Sequence, residues 1–251
     1  MEETELIKKR FSELAERSYS KGQFTFTSFL TMQELSLFYE IRKELEYAKP
    51  TVYGGYEGAE RAVVRFGSPD EMGYDEEFPI DILEISPLSE KFADDLTHRD
   101  FLGALMSIGI ERDLLGDIIV TGKNAYVFTL SRISEYIIDN LTSVKHTSVS
   151  LKKAENNEPD AAYHGFEKEK TVQVSSERCD AVISKVFNLS RSMSAEYFRQ
   201  KKVFVNGCIT ENTSILLKEG DLVTVRGYGR FKLLRTNGMS RKGKLNIVVG
   251  I

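Results

Sequence analysis

Apolar positions Ile7, Phe11, Leu14 and Ala15 recur at three- and four-residue intervals, a spacing that predicts a helix over residues 2–18. A second stripe, Leu35, Phe38, Ile41 and Leu45, predicts a helix from Thr31 or Met32 to about Tyr47, with Ser28 and Thr31 as candidate N-caps. Pro50 and the glycines of Tyr53-Gly54-Gly55-Tyr56-Glu57-Gly58 mark a loop, and residues 61–66 read as a strand. The polar, acidic run over 67–77 reads as a boundary.

Beyond it the period switches between two and 3.6. A strand over 80–86 precedes a helix over 98–108, capped by Thr97 and ended by Gly109. Residues 118–121 and 125–129 form a hairpin around Gly122-Lys123-Asn124, Ser131 opens a helix over 133–141, and 144–151 returns as a strand. The order β-α-β-β-α-β is that of a split βαβ, ferredoxin-like sandwich. Residues 153–160 read as a linker or long loop; a strand over 169–175 either closes this sheet or leads into the next domain.

The last third predicts a helix over 180–187, a turn over 189–192 and a helix through Gln200 capped by Ser192 or Ser194. A strand over 203–205 meets the strong hairpin signal Asn206-Gly207, followed by Cys208-Ile209-Thr210. A turn at Lys218-Glu219-Gly220-Asp221 leads to strands over 222–226, 231–234 and 245–249. Met193, Phe198 and Phe204 read as core. The fold class is α+β, with a helical and mixed N-terminal region over 1–75, a ferredoxin-like middle domain over 76–170 and a small αβ domain over 171–251.

Charge changes this picture. The chain carries a net −4, but residues 178–244 hold 14 Lys and Arg against 5 Asp and Glu, a balance of +9 that leaves −13 on the remainder. One basic end on an acidic chain points to a polyanionic partner or to a solvated basic surface. No apolar run is long enough to span a bilayer, and the charged start is unlike a signal peptide, so the expectation is a cytoplasmic protein without membrane contact. Cys179 and Cys208 are too few for a disulfide framework or a cysteine-rich zinc site, and read as reduced, partly buried thiols. His98, His146 and His164 lack ligand spacing, so neither metal nor cofactor is expected.

The basic third suits RNA. Arg191, Arg199, Lys201 and Lys202 lie on or beside the second helix of a helix-turn-helix, where they can neutralise phosphates, and structured RNA is read by outline and backbone more than by base edges. Arg226, Tyr228, Arg230 and Lys232 add cations and a ring that either stacks on a base or packs on its own sheet. Arg178, Ser190, Ser192 and Asn206 complete the candidate set.

The pattern Arg178-Cys179-Asp180, Ser190-Arg191-Ser192, Ala195 and Phe198, Val203-Phe204-Val205-Asn206-Gly207 and Lys218-Glu219-Gly220-Asp221 resembles the RNA-binding domain of ribosomal protein S-four. Cys179 stands where that family more often has leucine. Further blocks resemble the bacterial YlmH family over nearly the whole chain: Gly54-Gly55-Tyr56-Glu57-Gly58-Ala59-Glu60-Arg61, His98-Arg99-Asp100 with Leu102-Gly103-Ala104-Leu105, Gly109-Ile110 with Arg112, Gly116-Asp117-Ile118, and Arg226-Gly227-Tyr228-Gly229-Arg230-Phe231. The resemblance implies an RRM-like middle domain and an S-four-type RNA-binding domain over 171–251. It also implies binding to ribosomal RNA or tRNA on the large ribosomal subunit, in quality control of stalled nascent chains, with a link to cell division.

Enzyme readings fare worse. Gly238-Met239-Ser240-Arg241-Lys242 faintly resembles a synthetase ATP loop, but no histidine signature stands upstream. Asp180 reads as a helix N-cap rather than a pseudouridine-synthase nucleophile. Gly54-Gly55 precedes a strand, against the order a methyltransferase needs. His98-Arg99-Asp100 copies a kinase loop without its partner motifs; at a helix N-terminus His98 and Arg99 either meet a phosphate or pack the helix start on its sheet. The expectation is a non-catalytic RNA binder without a small-molecule substrate. The alternatives are an RNA-modifying enzyme with its catalytic part upstream and a cell-division adaptor.

Overall fold

Helix α1 (Glu3–Lys21) buries Phe11, Ala15 and Ser18 in the computed structural model of the chain, which describes residues 3–154, 166, 168–240 and 243–251. After β1 (Thr25–Phe26), Thr31 opens α2 (Met32–Ile41). Its hydroxyl accepts from Glu34 N–H at 3.3 Å, and its own N–H donates to the Glu34 carboxylate at 2.7 Å, a capping box. The helix expected to run on to Tyr47 tightens instead into a 3-10 segment over Arg42–Ala48, which still buries Leu45. Strands β2 (Thr51–Tyr53) and β3 (Val63–Phe66) join β1 in an antiparallel sheet ordered β1-β3-β2. The acidic boundary stretch contains one helical turn, α3 (Pro69–Met72).

The middle of the chain runs β4 (Ile80–Pro87), α4 (His98–Ser107), β5 (Leu115–Thr121), β6 (Asn124–Leu130), α5 (Ser131–Asn140), β7 (Ser143–Val144) and β8 (Thr147–Lys153). The antiparallel sheet is ordered β5-β6-β4-β8-β7, so its four long strands have the split βαβ arrangement expected from the sequence. The single strand expected over 144–151 is broken by a turn in which Lys145 takes a φ of 51°. Leu83, Ile85 and Val127 pack against Phe101 and Leu105 of α4 and Ile137 of α5. Burial of one such side chain is worth about 1.5–3 kcal/mol.

The opposite face of this sheet is also covered. Phe128 and Leu130, with Ile80 and Ile82, meet Phe29, Tyr56 and Val63 in a second apolar cluster. Through it the N-terminal region and the middle domain, given separate ranges above, close into one compact unit, Met1–Tyr163; His164–Ile251 is the other. Of the linker expected over 153–160, Lys153 ends β8 and residues 155–160 lie outside the described residues.

The C-terminal unit contains β9 (Glu169–Val174), α6 (Cys179–Val186), α7 (Arg191–Arg199), β10 (Val203–Val205), β11 (Cys208–Ile209), β12 (Leu222–Val225), β13 (Gly229–Met239) and β14 (Leu245–Gly250). Its antiparallel sheet is ordered β11-β10-β12-β13-β14-β9. Strand β9, whose placement the sequence left open between two sheets, pairs along its length with β14. Helix α6 brings Cys179, Val182 and Ile183, and α7 brings Phe198, onto Val203, Val223, Phe231 and Ile247.

Candidate nucleic-acid interface

Helix α7 begins earlier than either expected cap would start it. Ser190, not Ser192 or Ser194, is the N-cap, its hydroxyl accepting from Met193 N–H at 3.2 Å. Ser194 is buried and donates to the Asp180 carbonyl at 3.1 Å, which fixes α7 on α6. Met193, expected in the core, is 46% exposed, because this start turns it outward. The exposed N-terminal side of α7 therefore carries Ser190, Arg191 and Ser192, with the two serine hydroxyls 3.0 Å apart.

Asp180 is not an N-cap; Arg178 occupies that position without a side-chain cap. The nearly buried Asp180 carboxylate instead accepts twice from the Arg178 guanidinium, at 3.0 and 3.2 Å, and lies 4.0 Å from Arg191. This hydrogen bonding raises the Arg178 pKa above its ordinary value. One carboxylate thus positions two of the expected RNA-contacting cations and offsets one of their charges.

At its other end α7 presents Arg199, paired with Glu196 at 3.0 Å, and then Lys201, 3.4 Å from Glu211. Both cations are well exposed, and such surface pairs contribute at most about 1 kcal/mol, little resistance to exchange for a phosphate. Lys201 takes a φ of 54° and turns the chain into β10, while the Lys202 carbonyl accepts from Arg226 N–H at 2.9 Å. That bond brings the β12–β13 turn beside the end of α7. There Tyr228 stands between Gly227 and Gly229, at φ of 92° and 130°, a conformation that favours glycine. The Tyr228 ring meets Tyr197 edge-on at 5.1 Å and Phe187 at 6.0 Å, and the Lys202 ammonium lies 5.8 Å from the Tyr197 ring centre.

The structure thus gathers Arg178, Ser190, Arg191 and Ser192 in one group and Lys202, Arg226 and Tyr228 in another. Arg230 and Lys232 follow Tyr228 on β13, with the Arg230 guanidinium 5.4 Å from the Phe166 ring centre. The Asn206 side chain works inside the fold: its amide donates to Asp221 at 2.9 Å and its carbonyl accepts from Leu222 N–H at 2.9 Å. Tyr197 was missed by the sequence reading, although it lies one turn before Lys201; Asp180 was found but given the wrong part.

Other flagged blocks serve packing. Asp117 accepts from the Tyr56 hydroxyl at 2.8 Å and from the backbone N–H groups of Glu60 and Arg61 at 2.7 and 3.2 Å. The buried Arg61 guanidinium donates to the carbonyls of Leu115, Phe29 and Arg112. Burial and the facing Arg61 bring Arg112 down to about 10. Gly55, at φ 101°, lies against the Phe128 ring, where any side chain would collide. Gly54–Arg61 and Gly116-Asp117 are therefore the joint that seals the outer face of the middle sheet. In the His98-Arg99-Asp100 block, Asp100 binds Thr97 and Lys145, while His98 and Arg99 are exposed.

Cys179 is fully buried, and burial pushes its thiol up to about 12; Cys208, expected to be partly buried, is exposed beside the Asn206-Gly207 turn. Of the faint synthetase-like loop, Gly238 and Met239 end β13, and Arg241 and Lys242 lie outside the described residues. Among the described residues no group of three or more His, Cys, Asp or Glu could hold a metal, and no helix is long and apolar enough to cross a membrane.

Residues 74–158 match the family model described as "Putative RNA-binding domain in YlmH". The chain is 29% identical over 202 residues to the ribosome-associated protein quality control protein P2 of Bacillus subtilis (strain 168), a match covering 77% of this chain and 74% of that protein. Among solved structures, the cell division protein ylmH from Streptococcus pneumoniae matches with a TM-score of 0.50 and 23% identity, over 63% of this chain and 94% of that one. That structural likeness bears on the mixed α+β fold alone.

Proposed function

From the resemblance to the YlmH family that the sequence motifs and these comparisons share, we propose that the chain is a non-catalytic, cytoplasmic RNA-binding protein of the ribosome. The C-terminal unit is its S-four-type RNA-binding domain. Its target is ribosomal RNA or tRNA on the large subunit, where it helps hold peptidyl-tRNA on stalled ribosomes. The observation that carries this reading is the exposed surface at the two ends of α7, Arg191 beside the hydroxyls of Ser190 and Ser192 at its start and Arg199 with Lys201 at its finish, on a chain that is otherwise acidic. Cations and hydroxyls on a short helix suit a phosphate backbone, and the ion pairs that hold them are weak enough to exchange. In the middle domain, Phe128 of β6 is buried under Tyr56 and Gly55, so that ring is not open to a base.

The alternative reading is an adaptor in cell division; the pneumococcal neighbour is named a cell division protein, but its likeness to this chain is one of fold. Sedimentation of tagged protein from lysate through sucrose gradients, at low and high salt, separates the two. Salt-sensitive co-migration with large subunits carrying tRNA is the expected result. Protein that stays at the top of the gradient at low salt, with no enriched RNA, overturns the ribosome reading in favour of the adaptor.

A further inference from the structure

The β12–β13 turn holds a feature that phosphate neutralisation does not use. Tyr228 is 42% exposed, yet it is not a loose surface ring. Phe187 and Tyr197 pack against it, with ring centres at 6.0 and 5.1 Å. The glycines on either side set its backbone. Two cations belong to the same neighbourhood: the Lys202 ammonium lies 5.8 Å from the ring centre of Tyr197, which itself packs on Tyr228, and exposed Arg226, two residues before Tyr228, is tied by its backbone N–H to the Lys202 carbonyl. A ring already ordered by its neighbours loses little freedom on binding.

We propose that Tyr228 is a stacking platform for one unpaired RNA base, so that the C-terminal unit prefers a duplex carrying a bulged or flipped-out nucleotide over a continuous duplex. The proposal rests on the RNA-binding reading and narrows it. A base inside a continuous A-form helix keeps both faces on its neighbours, whereas an extruded base offers a face to an aromatic ring. Lys202 and Arg226 supply positive charge where the phosphates beside such a base would lie. Because every base has a π face, the platform selects an unpaired position more than a base identity.

The test uses the full-length chain and two RNA hairpins, one with 2-aminopurine as a single-nucleotide bulge and one with it paired to uracil. Affinity is read by anisotropy of a distant dye, and stacking by quenching of 2-aminopurine fluorescence. The wild type is expected to bind the bulged hairpin about tenfold more tightly and to quench it. Tyr228→Leu, with circular dichroism unchanged, is expected to lose the preference and the quenching, whereas Tyr228→Phe, which keeps the ring, retains both. Equal wild-type affinity for the two hairpins without quenching overturns the platform and leaves salt-dependent RNA binding standing. Quenching that survives in a folded Tyr228→Leu variant overturns it as well. Failure to bind either hairpin overturns the RNA-binding reading, and the platform with it.

Discussion

Asp100 shows how one side chain can carry several interactions at once. Its carboxylate accepts from the Thr97 N–H and hydroxyl at 2.8 and 2.7 Å and pairs with Lys145 at 2.7 Å, tying the start of α4 to the β7–β8 turn. The Lys145 ammonium first, then the Thr97 groups, lower its pKa from 3.8 to about 2. A carboxylate depressed in the folded state stabilises above its unfolded pKa, and that contribution is lost as pH falls through the folded value. The melting temperature of Asp100→Asn should therefore lie below that of the wild type at neutral pH, with a gap that closes between about pH 4 and pH 2. A gap that stays constant over that range, followed by circular dichroism, would contradict the assignment.

At the scale of elements, the β10–β11 hairpin turns on Asn206 and Gly207, at φ of 51° and 79°. Asparagine tolerates the left-handed region, and its amide closes two bonds to the loop before β12. Asn206→Ala should lower stability by about 2 kcal/mol in urea unfolding, from backbone strain and the lost bonds together. Asn206→Gly, which loses the same bonds but accepts the left-handed backbone without strain, should lose less. This hairpin was legible because Asn-Gly carries its own signal, as were α4 and the β5–β6 hairpin with their caps and glycines. Strands β1 and β2 were not, since two or three residues are too few to display alternation. Helix α7 was misplaced at its start because Ser190, Ser192 and Ser194 are equal as cap residues in sequence, and only the packing of Ser194 on α6 separates them. Asp180 was misassigned for a related reason: its position near a helix start does not reveal that Arg178 and Arg191 converge on it.

For the whole molecule, the sequence foretold a basic end and an acidic remainder, but not which cations share a surface, because Arg191 joins Arg178 at Asp180, and Arg226 joins Lys202, only through tertiary contacts. If Arg191, Arg199 and Lys202 each neutralise a phosphate, replacing all three by alanine should weaken RNA binding and reduce the slope of log affinity against log salt by about 2–3. Titrations at several salt concentrations measure this, and an unchanged slope in a folded triple variant would remove these residues from the interface. The contrast between the two cysteines has a practical outcome. A thiol titrating near 12 inside a packed core holds almost no thiolate at neutral pH, whereas Cys208 meets solvent at the edge of the basic unit. The native chain thus provides one addressable attachment point, so a dye or cross-linker placed there can measure distances to a bound nucleic acid without first engineering the other cysteine away.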